Sequence, residues 1–149
     1  MINKSDKLIE NMKIVLGTSF AFYLKAHGYH WNIEGPNFSE YHKFFGDIYE
    51  EVWEATDAIA EQIRALDEYV PAALGRFFQL STIADEASIP SSKEMVRKLL
   101  DDNDKVIEAL TEAFKESEVV KEVGLSNFLQ DRIDIHRKHG WMLRATIKD

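Results

Sequence analysis

The sequence predicts an all-α fold in which four long helices form a bundle and a short helix lies in the connection between the second and third. Three observations carry this. Only three prolines and seven glycines occur among 149 residues, so long stretches are free of helix breakers. Ala, Glu, Lys, Leu and Ile are abundant. Apolar residues recur at steps of three and four over spans far longer than a strand.

Residues 5–33 read as the first helix, with Leu8, Met12, Val15, Leu16, Phe20, Tyr23 and Leu24 covering a broad apolar side. Gly35-Pro36-Asn37 breaks it. From 38 to 66, Phe38, Tyr41, Phe45, Ile48, Val52, Ala55, Ile59, Ile63 and Leu66 keep the helical period without a miss. Residues 67–90 differ: Pro71 and Pro90 bracket a short apolar stretch, 72–84, that predicts one or two turns of helix inside a long crossover. Ser91-Ser92-Lys93-Glu94 has the form of a capping box, in which serine and glutamate satisfy each other's orphan amides, and it opens a third long helix to about residue 121. Gly124 is expected to end that helix, and the last one runs from about 126 to 147. A long connection between the second and third helices makes the first pair and the last pair antiparallel, the topology of a ferritin-like bundle.

The chain is long enough to bury a sizeable core as one domain, 1–149. No apolar run approaches the length of a membrane span, and Met1-Ile2-Asn3-Lys4-Ser5-Asp6 lacks the apolar centre of a signal peptide, so a cytoplasmic location is expected. The absence of cysteine excludes disulfides and thiolate metal sites. A net charge of −8 makes the average surface repel nucleic acid and attract cations, although solubility alone also explains it.

Chemistry concentrates in the second quarter of the chain. His30-Trp31-Asn32-Ile33-Glu34-Gly35 is followed by His42 and then by Asp57-Ala58-Ile59-Ala60-Glu61. Imidazoles and carboxylates are the ligand types that iron, zinc and manganese share. Spacing limits how they act. The fifteen residues from His42 to Asp57 correspond to roughly 22 Å along a helix, too far for two side chains to hold one ion. Either the histidines and carboxylates serve different purposes, or two copies of this helix run antiparallel across a dyad, so that the His42 end of one meets the Asp57/Glu61 end of the other. None of the five histidines has Glu three residues before it, which disfavours a di-iron centre inside a single bundle.

His30-Trp31-Asn32, Gly35, Phe38, His42, Asp57 and Ala60-Glu61-Gln62-Ile63-Arg64 resemble the signature of the Dps family, the ferritin-like mini-ferritins named as DNA-binding proteins from starved cells. The resemblance is dense over 22–66, and the helix pattern extends it over nearly the whole chain. It implies a hollow homo-dodecamer that oxidises ferrous iron at sites shared by two subunits, with hydrogen peroxide as the favoured oxidant, and stores the ferric product inside. It also implies that His30, His42, Asp57 and Glu61 are the metal ligands, with zinc or manganese able to stand in for iron, and that Trp31 beside them receives oxidising equivalents. Aromatic packing at the dyad is the alternative reading of Trp31 and Trp53.

One departure bears on the second metal position. Where the family pattern places an aspartate four residues after the second histidine, this chain has Gly46, and the neighbouring Asp47 is turned about 100° away around the helix. Asp47, Glu50 and His27 are the residues left to complete the centre, and the expectation is one firm iron position with a weaker second. His136 and His139 read as surface or packing residues. Glu122, Asp131 and Asp134 are either pore-lining acids, by analogy with the fold, or a solvated helix face. Three functions stay open: a ferroxidase and iron store, a cage that binds metal without turnover, and a DNA-coating protein. DNA binding is not expected, because the ends carry few cations, Lys4 and Lys7 at one and Lys148 at the other.

Overall fold

The computed structural model describes all 149 residues, and they form five helices: α1 (Asp6–Asn32), α2 (Phe38–Ala65), α3 (Leu74–Leu80), α4 (Ser92–Val119) and α5 (Val123–Thr146). Four long helices and a seven-residue helix in the crossover reproduce the predicted ferritin-like architecture. No helix is long and apolar enough to cross a membrane.

Local chemistry sets the helix ends. Ser5 opens α1 by accepting the Leu8 amide on its side chain. At the start of α4, Ser91 accepts the Glu94 amide at 3.4 Å, but Glu94 pairs with Arg97 one turn on. Only the serine half of the expected capping box forms, because an arginine three residues further along the helix offers the carboxylate a charged partner.

Both α2 and α4 end in Schellman motifs. Asp67 (φ 59°) and Lys121 (φ 62°) take the left-handed conformation, and the amides of Glu68 and Glu122 reach back to Ile63 and Ser117. This corrects the expected break at Gly124, which lies in the first turn of α5. The turn is made three residues earlier by Lys121, where the hydrogen bonds to Ser117 and Glu118 offset the cost of a left-handed lysine.

α1 packs against α2, α4 and α3, so most of its circumference is in use. Phe22 and Ala26 face the bundle axis with no exposed surface, whereas Phe20 turns to Phe77 of α3 (4.9 Å between ring centroids) and Leu24 is exposed. The expected apolar side of α1 is therefore divided between the core and the crossover. Gly17 allows that close approach, since a Cβ there would lie 2.8 Å from the Leu80 Cβ. On α2 the stripe from Phe45 to Leu66 is buried as predicted, while Phe38 at the open end is exposed.

Of the two readings of the α5 histidines, surface or packing, the structure gives packing. Leu125, Leu129, Arg132, His136, His139 and Leu143 follow one another at steps of four and three, and all are buried. The two bundle neighbours α2 and α5 are bridged across their seam by side chains. Arg132 and the His139 Nε2–H (2.9 Å) bind Glu51, the Arg132 guanidinium donates to His136 Nε2, and the His136 Nδ1–H donates to Asn103 Oδ1 (2.8 Å). Each charged or imidazole group thus finds a partner inside the bundle, the condition for burying it. Burial pushes the Glu51 carboxyl up, but hydrogen bonds from His139 and Arg132 and their charges outweigh it and take it down to about 2. Burial, followed by the Arg132 charge, holds His136 well below the usual imidazole range, so it is neutral.

Candidate metal centre

The last turn of α1 leaves backbone carbonyls without helical partners. One of them is the carbonyl of His30, and the hairpin over residues 33–37 returns the first turns of α2 alongside it. The His42 Nδ1–H donates to the His30 carbonyl at 2.7 Å, and the His30 Nδ1–H donates to the His42 carbonyl at 2.6 Å. The imidazoles stack with centroids 3.7 Å apart. Commitment of both Nδ1 atoms to backbone oxygens fixes the tautomer and leaves both Nε2 lone pairs as the free donors, the arrangement of metal-binding histidines.

Gly46 makes room for this pair. A Cβ on Gly46 would stand 3.2 Å from His30 Nδ1 and 3.3 Å from Cε1, so the imidazole occupies the space that a side chain at this position would enter. The helix-propensity penalty of about 1 kcal/mol for glycine thus has a local cause.

The carboxylates are elsewhere. Asp57 and Glu61 sit exposed at i and i+4 near the far end of α2, and no three His, Asp or Glu side chains converge within the chain. His30 and His42 are brought together; Asp57 and Glu61 are brought to neither. Asp47 is exposed and paired with Lys43 (2.9 Å). Glu50 is exposed, and its charge reaches His27. Among the acids considered for pores, Glu122 accepts the Asn3 amide, Asp134 faces Arg137, and Asp131 is exposed.

His27 is not beside His42 but sits in an aromatic stack. Its ring lies 3.7 Å from that of Tyr49 at an interplanar angle of 10° and 3.9 Å from that of Trp31, and its Nδ1 accepts the Tyr23 hydroxyl at 2.9 Å. Tyr49 meets His30 edge-on at 5.1 Å, and Tyr23 approaches Trp53 at 4.8 Å. Burial, with His30 next, holds His27 below its ordinary pKa. Tyr49 had no place in the sequence reading, and Tyr23 stood there only as an apolar position. A signal for both exists: Tyr23, His27 and His30 on α1, and His42, Gly46, Tyr49 and Trp53 on α2, form two stripes at helical spacing beside the core stripe.

Comparisons with known proteins agree with this architecture. A family model described as a ferritin-like domain matches residues 9–149. A low temperature-induced protein of Nostoc is 33% identical over 135 residues, covering 89% of this chain and 75% of the relative. The DNA protection during starvation protein 2 of Bacillus anthracis is 28% identical, covering 95% of this chain and 97% of the relative. Among solved structures, the DPS protein from Vibrio cholerae, described as a member of a broad superfamily of ferritin-like diiron-carboxylate proteins, superposes with a TM-score of 0.91 at 25% identity, covering 95% of this chain and 89% of that one.

Proposed function

Because the chain belongs to the Dps family of ferritin-like proteins, we propose that it is a cytoplasmic, dodecameric mini-ferritin that oxidises ferrous iron with hydrogen peroxide at sites shared by two subunits. The ferric product is stored inside, which removes both reactants of hydroxyl-radical formation. The observation that carries this reading is the stacked His30/His42 pair, a half-site whose matching carboxylates, Asp57 and Glu61, lie out of reach on the same helix.

A second copy of the chain completes the half-site. Trp31, Trp53, Leu74 and Phe78 are large apolar side chains left exposed on α1, α2 and α3. A groove of about 660 Å³ runs beside Trp53 and Asp57, walled by Phe20, Phe77 and Val70. An apolar surface of this kind beside candidate ligands is what a subunit interface requires. With α2 antiparallel to its copy about a dyad near Glu50 to Trp53, His30 and His42 of one subunit face Asp57 and Glu61 of the other.

Ferrous iron is the substrate of this site. Imidazole Nε2 atoms and carboxylate oxygens bind it, and the hard oxygen donors favour the ferric ion, so the bound metal becomes easier to oxidise. Peroxide accepts two electrons, one from each of two irons. Gly46 supports a second reading in which the cage holds one iron, zinc or manganese ion per site without efficient turnover, because the side chain that would add a carboxylate on the His42 face is missing and His30 fills its space.

Anaerobic Fe(II) titration of the assembled protein, followed by stepwise peroxide, tests the proposal. Two ferrous ions oxidised per peroxide in a particle of dodecameric mass is the expected outcome. Metal binding with no oxidation selects the second reading, and a monomer in light scattering overturns both.

A further inference from the structure

We propose that Glu51, His136 and His139 form a second metal-binding set, inside the bundle, which the Arg132 guanidinium holds closed. The ligand class is a single divalent cation of the zinc or cobalt type, and Arg132 is the residue that keeps such ions out of the bundle interior. The set stands on its own residues and needs no part of the ferroxidase reading.

His136 is placed as a metal-binding histidine is placed. It is fully buried, its Nδ1–H donates to Asn103 Oδ1 at 2.8 Å, and Asn103 Nδ2 donates back to the His136 carbonyl at 2.8 Å. A ring held in this way turns its Nε2 lone pair toward a cation, and a carbonyl oxygen on the other ring nitrogen is what orients histidines on metals. The cation it faces is Arg132, whose Nη2 lies 3.1 Å from His136 Nε2 and 3.2 Å from Glu51 Oε1. His139 Nε2 is 2.9 Å from the same Glu51 oxygen. One carboxylate and two imidazoles, brought from α2 and α5 around a single positive charge, are a ligand set for zinc.

The guanidinium fills this place without matching it. Arg132 is buried, yet its Nε–H has no acceptor, and His139 Nδ1 has no partner either. A buried N–H without an acceptor is costly, so an arginine in a pocket built for it uses all its donors. No three ligand atoms converge on one point while the guanidinium stands among them. With it gone, metal–ligand bonds of about 2.1 Å require Glu51 and His136 to close by about 1 Å each on the position of Nη2. Glu51 has the freedom to move: its side chain is 30% exposed, and that exposure marks the way in from solvent. His139 ligates through Nε2 with its proton on Nδ1, a nitrogen with no hydrogen bond to lose.

The test counts Co(II) bound per chain by equilibrium dialysis and visible absorption. Arg132→Met, which removes the cation and keeps an unbranched side chain, should bind one Co(II) per chain more than the unsubstituted protein. Adding His136→Gln to Arg132→Met should lose that ion. The count is a difference, so metal held at the dyad cancels, and the same difference is expected in a Glu61→Gln background. Excess Co(II) should raise the melting temperature of Arg132→Met by several degrees more than that of the double variant, as binding to the folded state requires. If Arg132→Met does not fold without metal, recovery of its helical circular dichroism on adding Co(II) supports the site, and no recovery overturns it. A folded Arg132→Met protein that takes up no additional Co(II), or one that keeps the additional ion without His136, overturns the proposal. So does a Co(II) already bound to the unsubstituted protein and abolished by His136→Gln, since the guanidinium would then not be what closes the set. None of these results bears on the ferroxidase reading.

Discussion

His30 and His42 each donate a ring N–H to the other's main-chain carbonyl, a reciprocal contact that closes the α1–α2 hairpin and leaves both Nε2 atoms free, the donors of the proposed metal site. Stability and the proposed ligation are therefore joined in these residues and separable elsewhere. His42→Ala should lower stability by about 1 kcal/mol through the lost hydrogen bond and also weaken iron binding. Glu61→Gln keeps the shape of an exposed side chain and should leave the melting temperature unchanged while abolishing most iron binding and peroxide-dependent oxidation. Differential scanning calorimetry beside anaerobic titration checks the contrast; a Glu61→Gln protein with unaltered iron binding would remove Glu61 from the centre.

Gly46 separates crowding from ligation. Gly46→Ala adds a Cβ within 3.2 Å of His30 Nδ1 and no ligand, so it should displace the imidazole and lower affinity for the first iron several-fold. Gly46→Asp carries the same crowding but adds a carboxylate, and should strengthen the second position relative to Gly46→Ala. Anaerobic titrations of the three proteins measure this; equal stoichiometry and affinity in all three would mean that another residue already completes the centre.

Trp53 is half exposed in the isolated chain and lies where the proposed dyad falls. Trp53→Glu should place like charges against each other across the dyad and release smaller species, with loss of peroxide-dependent iron oxidation. Size-exclusion chromatography with light scattering reads the outcome, and an unchanged particle mass would move the subunit contact elsewhere.

Neutral, buried His136 ties stability to pH. Its folded pKa lies well below the value of about 6.5 expected when unfolded, so below that pH the unfolded chain binds a proton that the folded chain refuses, and stability falls as pH falls. The slope approaches about 1.4 kcal/mol per pH unit for this one group. Glu51 acts lower: its contribution is complete above its unfolded value and is lost only as pH falls toward about 2. Denaturant midpoints measured between pH 7 and 5 should therefore decline less steeply in His136→Gln, and an identical decline would show that other groups govern it.

In the proposed dodecamer twelve chains at −8 sum to about −96, and phosphate binding depends on cations that release counterions. No DNA retardation is expected at neutral pH in about 0.15 M salt without bridging metal ions. A salt-sensitive gel shift under those conditions would revive the DNA-coating reading.

Helical periodicity is a local property, and by itself it determined the four long helices, the crossover bounded by Pro71 and Pro90, and the separation of His42 from Asp57 along α2. It also contained the α5 pattern in which Arg132, His136 and His139 take core positions, a burial that residue type alone argues against. Only the tertiary structure decided what fills those positions' surroundings: Glu51 of α2 pairs with Arg132 and His139, and Asn103 of α4 accepts from neutral His136. It likewise decided that Phe22 rather than Phe20 faces the axis, that His30 takes the space above Gly46, and that His27 bonds Tyr23 instead of approaching His42. The physical reason is reach. Which atoms a ring meets across a helix pair depends on interaxial distance and rotamer, to tenths of an ångström, and neither is encoded in the spacing of residues along one helix.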